Sequence, residues 1–149
     1  MTSREIRYQG AIVRDNQILL IKHREHETGY SYWILPGGGL EPGETEEACV
    51  RREIKEETNL DVKVISLLLH EPDPLKKPYL SRKTYLCTPG TGEASPGIDP
   101  EPESAAWYGI VEVKWFYLDD ESGWDTVLNE DPVTLSQLQM VRKKLGYIS

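Results

Sequence analysis

Cysteine is almost missing from this chain, with Cys49 and Cys87 the two present in 149 residues. Two thiols cannot build a disulfide framework, so both are expected to be buried and reduced, as in a cytoplasmic protein. No zinc-type spacing exists, and the three histidines are scattered. Long apolar runs are also lacking, which excludes a membrane-spanning helix, and the polar start MTSREIRYQG is not expected to act as a signal peptide. Positive charge is short as well: 17 Lys and Arg face 25 Asp and Glu, for a net charge of −8. That balance argues against tight binding to long nucleic acid, which needs a basic surface to displace counterions. It leaves a small anionic ligand open, because a few local cations decide that. There is no internal repeat. A length of 149 residues and a mass of 17.0 kDa suit one domain, residues 1–149, with a substantial core.

What the chain does have is concentrated between Gly37 and Leu60, GGGLEPGETEEACVRREIKEETNL. After Pro42-Gly43, Thr45 is a good N-cap, with Glu46 and Glu47 favourable in the first turn, so a helix is expected from about Thr45 to Thr58. At ~100° per residue, Cys49, Val50, Glu53, Ile54, Glu56 and Glu57 share one broad arc, and Glu47, Arg51 and Lys55 fall opposite. Val50 and Ile54 anchor such a helix to a core, which leaves the glutamates at the edge of the packed face. Carboxylates at i, i+3 and i+4 repel one another and lose hydration there, unless something positive sits among them. A hard divalent cation such as Mg2+ is the natural counter-charge. Just ahead, the glycines of Pro36-Gly37-Gly38-Gly39 are expected to form a turn whose backbone approaches a ligand closely.

The remaining elements follow from period and punctuation. Ile6–Arg14 and Ile18–His23 read as a hairpin turned at Asp15-Asn16. Lys22, His23 and Arg24 place cationic groups at its exit. Tyr32–Leu35, Val62–Leu69, Ser81–Thr88 and Ile110–Leu118 read as strands. A proline-broken loop follows His70 and runs to Pro78. Pro89–Ser104 is too rich in proline and glycine for regular structure and suits a lid or substrate rim. A short helical or turn segment after Leu118 carries Trp124 and Leu128. Leu135, Leu138, Val141 and Leu145 recur at helical spacing over Pro132–Leu145, a closing helix ended by Gly146. Strands interleaved with two main helices predict an α/β fold, a mixed sheet with a helix on each face.

The order Gly38, Glu44, Arg52-Glu53-Ile54, Glu56-Glu57, Asn59-Leu60 resembles the signature box of the Nudix hydrolases, GX5EX7REUXEEXGU with U aliphatic. Eight of nine specified positions match, over about a sixth of the chain. Asn59 stands where the family has glycine, at a position that wants the left-handed conformation, which Asn tolerates best after Gly. The resemblance implies an α/β/α sandwich and a Mg2+-dependent pyrophosphohydrolase, with Mn2+ as the alternative ion. Its substrate would be a nucleoside diphosphate linked to another moiety. The resemblance assigns metal ligation to Glu56 and Glu57 with the carbonyl of Gly37, and makes Glu53 either a further ligand or the base that deprotonates water. Arg52 would orient a carboxylate, Glu44 would support it, and Glu112 would complete the metal site. Arg24, Lys22 and Arg82 are candidates for substrate phosphates, Gly38 and Gly39 for close backbone approach. Tyr79, Trp107, Tyr32 and Trp33 are candidates for base stacking, although core packing suits Trp33 and Trp115 better. Pro74 and Pro78 sit near the family's marker for ADP-ribose or nucleotide sugars, and Tyr79 near that for dinucleoside polyphosphates. Those substrates and modified nucleoside triphosphates therefore stay open. A homodimer is common among relatives, and a non-catalytic nucleotide sensor on the same fold is the alternative function.

Overall fold

A computed structural model describes residues 5–74, 79–97 and 108–149. Ile6–Arg14 (β1) and Gln17–Glu25 (β2) form the expected hairpin. Asp15 and Asn16 turn it with φ of 52° and 64°, the left-handed pair that matches the twist of two antiparallel strands. Beyond this turn the two strands part company. β2 takes Ser31–Ile34 (β3) and Tyr108–Tyr117 (β7) as antiparallel neighbours. β1 takes Gly37–Gly39 (β4) antiparallel and Ser81–Pro89 (β6) parallel, and β6 pairs in turn with Val62–Pro72 (β5). The resulting path is β3-β2-β1-β6-β5, with one parallel pair among antiparallel ones. This is the expected mixed sheet.

Two expectations need correcting. The triglycine is not a free turn but strand β4, with Arg7, Tyr8 and Gln9 opposite Gly39, Gly38 and Gly37. It lies so close to β1 that a Cβ on Gly37 would come within 2.6 Å of Gln9 Cα, which explains why glycine is needed there. β5 also continues past Leu69: His70, Glu71 and Pro72 pair with Lys83, Arg82 and Ser81. Pro72 fits because it ends an edge strand, where a missing N–H costs no ladder bond.

Alternation along the strands sends side chains to two separate cores. Ile12, Leu19, Tyr85 and Cys87 face helix α1 (Glu46–Thr58) and meet its Cys49, Val50 and Ile54. Ala11, Ile18, Leu20 and Trp33 face the other way and meet helix α3 (Pro132–Lys144) through Leu138 and Val141. A helix thus covers each face, as the pattern predicted, and both cysteines are buried. Asp131 caps α3 by accepting from the amides of Val133 and Thr134, with Pro132 in the first turn, where its missing N–H is harmless. A 3-10 turn, Glu121–Gly123, and the short helix α2 (Thr126–Asn129) lead into it, carrying the buried Trp124 and Leu128. Trp33 is core: it is fully buried, meets Phe116 edge-on at 5.0 Å, and donates its indole N–H to Asp125 at 2.9 Å. On the α1 side, Ile54 presses directly onto Gly10, where any Cβ would displace it.

His23 on β2 is buried, and Tyr32 Oη lies 3.4 Å from its Nδ1. Burial, helped by the charge of Arg7, pushes its pKa down from 6.5 to about 4. The folded state therefore takes up this proton less readily than the unfolded chain. Its contribution is neutral above pH 6.5, and folding loses up to ~3 kcal/mol as pH falls from 6.5 to 4. Urea unfolding of the wild type and of His23→Gln at pH 7 and pH 4.5 checks this. The wild type should lose more stability on acidification than the variant; equal losses would contradict it.

Candidate active site

Helix α1 starts where Thr45, in extended conformation, accepts the amide of Ala48 at 3.1 Å, and Glu46 and Glu47 occupy the positive end of its dipole. It stops at Asn59, whose φ of 62° is the left-handed value expected at this position and whose amide returns to Lys55 O at 3.0 Å. Glu47, Arg51 and Lys55 are exposed, whereas Glu53 and Glu57 are only 3% and 2% exposed beside Val50 and Ile54. Two carboxylates have thus been carried into the protein by the apolar residues next to them in sequence.

Each one finds a specific partner. Glu57 Oε1 accepts the Gly37 amide at 2.7 Å, which ties the end of α1 to β4. Arg52 serves the others: Nε and Nη2 grip Glu44 at 2.7 and 3.0 Å, and Nη1 donates to Glu53 at 3.0 Å and Glu56 at 3.2 Å. Nη2 also donates to the carbonyl of Gly39 at 3.2 Å. One guanidinium among three carboxylates leaves the cluster net negative. The hydrogen bond from Arg52 holds the Glu44 carboxyl below the usual range. Burial pushes Glu53 up to about 7 despite the opposing charges of Arg52 and Arg7, and raises Glu56 as well. Burial wins for Glu53 because the one guanidinium that bonds it, Arg52, is shared with two other acids.

Gly38 lies against Glu53, so that a Cβ there would stand 2.5 Å from Glu53 Cδ and 2.8 Å from Oε2. The atoms in the way are the movable end of a side chain. Gly38→Ala should therefore leave the melting temperature within a few degrees of wild type while swinging the carboxylate aside. A displacement of this kind costs on the order of 100-fold in turnover. Turnover within threefold of wild type would show that the seat of Glu53 does not matter.

The other candidates are placed differently. Arg24 is exposed on β2, in register with Ser31 and Gly109. Glu112 on β7 is in register with Lys22, its carboxylate half-exposed and 3.9 Å from Lys22 Nζ. Lys22 itself lies over Trp33, 5.2 Å from the ring. Arg82 is buried and paired with Glu71 at 3.3 Å, and Glu71 is further held by Gln137. Tyr79, which flanks the Pro74–Pro78 loop, is buried rather than open. Trp107, Pro78 and residues 98–104 of the long loop fall outside the described residues. Among the described residues, no group of three or more His, Cys, Asp or Glu side chains is gathered as if around a metal. Glu53 and Glu56 turn to Arg52 instead, and Glu57 to Gly37. Two contributors escaped the sequence reading. Arg7, whose charge acts on both Glu53 and His23, donates to Gln9 Oε1 and to the carbonyl of Leu35. Polar residues at alternate positions of an otherwise apolar strand, Arg7 and Gln9, were the available signal. Asn59 is the second, through its side chain.

A family model described as NUDIX domain matches residues 6–135. An ADP-ribose pyrophosphatase of Methanocaldococcus jannaschii is 48% identical over 92 residues, covering 60% of this chain and 54% of the relative. The NAD-capped RNA hydrolase NudC of Vibrio parahaemolyticus is 37% identical over 103 residues, covering 69% of this chain and 38% of the relative. The chain thus spans about two fifths of the length of this NudC and just over half that of the pyrophosphatase. A solved MutT NUDIX hydrolase from Burkholderia pseudomallei superposes with a TM-score of 0.60 at 29% identity, over 93% of this chain and 98% of that one. The glutamates of α1, the arginine that grips Glu44, Glu53 and Glu56, and Gly38 against Glu53 occupy the residues of the signature box, and the chain belongs to the NUDIX domain family.

Proposed function

We propose that residues 1–149 form one hydrolase domain that cleaves the phosphoric anhydride of a nucleoside diphosphate linked to another moiety. The observation that carries this reading is Glu53, a carboxylate 3% exposed whose pKa is raised to about 7, beside Glu56 and Glu57. Such a group is costly for folding alone, and it is suited to proton transfer near neutral pH. Family membership and the names of the two relatives support the same class of reaction.

The donor set suits a divalent cation in kind, although its side chains turn to Arg52 and Gly37 rather than to a common centre in this structure. It consists of carboxylate and carbonyl oxygens, which suit a hard ion, and a cation would offset the ionisation of the buried Glu53. Glu56 and Glu57, with the carbonyl of Gly37, would hold Mg2+ or Mn2+, and Glu53 beside them would be the base rather than a further ligand. When bound, such an ion neutralises phosphate oxygens and makes water more acidic. The chain's own residues do the rest. Glu53 takes a proton as water attacks phosphorus; the new P–O bond replaces the anhydride P–O bond, and two phosphate products leave. Arg52 holds the carboxylates apart and aimed, and Gly38 leaves room beside Glu53. Arg24 and Lys22, cationic on β2, are the proposed contacts for substrate phosphate.

Among the described residues no helix is long and apolar enough to cross a membrane. A cytoplasmic enzyme acting on small nucleotides, as monomer or homodimer, is the reading that accompanies the net charge of −8. ADP-ribose is the first substrate to try, given the Methanocaldococcus relative. The test is hydrolysis of a panel of ADP-ribose, nucleotide sugars, dinucleoside polyphosphates and oxidised nucleoside triphosphates, with Mg2+ and with chelator. Turnover lost with chelator supports the reading. A folded protein silent across the panel would overturn it in favour of a nucleotide sensor.

A further inference from the structure

The left-handed cap of α1 does more than end a helix. A glycine at position 59 would adopt φ of 62° with less strain, yet this chain has asparagine there, and its side chain is in use. Asn59 Nδ2 donates to Ser95 Oγ at 2.9 Å and lies 3.2 Å from Ser95 O and 3.4 Å from Pro96 O. The same short strap, Ala94–Gly97, returns two bonds of its own. Ser95 N donates to Thr58 O at 2.9 Å, and Gly97 N donates to Glu57 O at 2.9 Å. These are carbonyls that a helix end leaves without an intrahelical partner. Ala94 packs against the α1-side core, and Gly97 lies so near Glu56 that a Cβ there would overlap its carbonyl. Glu57 is consequently held at both ends, its backbone by Gly97 and its carboxylate by the Gly37 amide.

We propose that Asn59, through this clasp, is a positioning residue that sets Glu56 and Glu57 for a divalent cation, a role resting on the metal-dependent reading above. With the clasp closed, the last turn of α1 is ordered before the cation arrives; with it open, binding must order that turn and affinity falls. The position where the signature departs from glycine is therefore where this chain ties the start of its long loop to the acidic helix.

The test follows melting temperature against Mg2+ concentration without nucleotide, for wild type, Asn59→Gly, Ser95→Ala and Gly97→Ala. The hydrolysis rate against Mg2+ is measured in parallel. Asn59→Gly keeps the cap but removes the side-chain half of the clasp, whereas Gly97→Ala pries the strap away and leaves residue 59 intact. Both should raise the half-saturating Mg2+ about fivefold or more, the size of an ordinary coupling between sites. Turnover at saturating metal should change far less. Ser95→Ala removes one acceptor of three and should shift it less. Amide exchange at Ser95 and Gly97 should quicken in Asn59→Gly. A wild type that responds to Mg2+, with Asn59→Gly and Gly97→Ala unshifted within twofold, overturns the positioning role alone, even if both variants melt lower. A wild type with neither Mg2+ response nor turnover overturns the functional reading with it.

Discussion

Glu53→Gln should make the metal-free protein more stable and nearly abolish its activity. The folded-state pKa of Glu53, raised from 4.5 to about 7, means that the native protein holds this proton more tightly than the unfolded chain does. Stability is therefore unaffected below pH 4.5, declines as pH rises from 4.5 to 7, and stays reduced above that. The deficit at pH 8 amounts to ~3 kcal/mol, or roughly 10 °C in a domain of this size. A neutral glutamine escapes most of it and keeps an oxygen for Arg52. In chelator at pH 8 the variant should melt about 5–10 °C above wild type, with the gap closing towards pH 4.5. Hydrolysis should fall on the order of 100- to 10,000-fold, as expected for a lost proton acceptor. Added Mg2+ should stabilise wild type more than the variant and so narrow or reverse the gap. A variant that melts below wild type in chelator at pH 8 would mean that Glu53 is seated as a satisfied structural carboxylate.

Arg52→Ala should have the opposite effect on stability. It leaves Glu44, Glu53 and Glu56 without the guanidinium they share, with side chains 12%, 4% and 31% exposed. Removing one partner of a mostly buried ionic network costs about 3 kcal/mol, and Glu56, the most exposed, adds little to that figure. The melting temperature should drop by roughly 10 °C in chelator. Mg2+ or Mn2+ should recover a larger share of stability in this variant than in wild type, because the cation supplies the positive charge that the variant lacks. Arg52→Lys should rescue poorly. The two-pronged grip on Glu44 and the simultaneous reach to Glu53, Glu56 and Gly39 need a planar fork, which an ammonium lacks. Full stability in Arg52→Lys would show that charge alone matters at this position.

The acidic helix was legible in the sequence because its information is local. Thr45, the spacing of Val50 and Ile54, and Asn59 specify start, face and end, and the structure places each as read. The hairpin at Asp15-Asn16 and the closing helix were legible for the same reason. The triglycine strand was not: its conformation is fixed by Arg7, Tyr8 and Gln9, some 30 residues away, and glycine carries no side-chain pattern to reveal a pairing. The continuation of β5 through His70-Glu71-Pro72 was hidden similarly, since a proline signals a break unless the strand is known to lie on an edge. Arg82 read as a candidate for substrate phosphate, because nothing local shows that Glu71, eleven residues back, comes alongside it through the β5–β6 pairing and holds it buried. Sequence separates what the helix does from what the sheet does to it.

Gly10 brings the two together. Because residue 10 has no side chain, the tip of the Ile54 side chain beds onto β1. Glu53 directly precedes Ile54, so a position outside the signature box bears on how deeply its carboxylate sits. A methyl group at position 10 would act as a shim beneath the helix. It would lift Glu53 towards water, returning its acidity towards that of an ordinary glutamate. Strand β1 thus offers a mutational dial for the working pH of the proposed hydrolase, one that leaves every residue of the signature box unchanged.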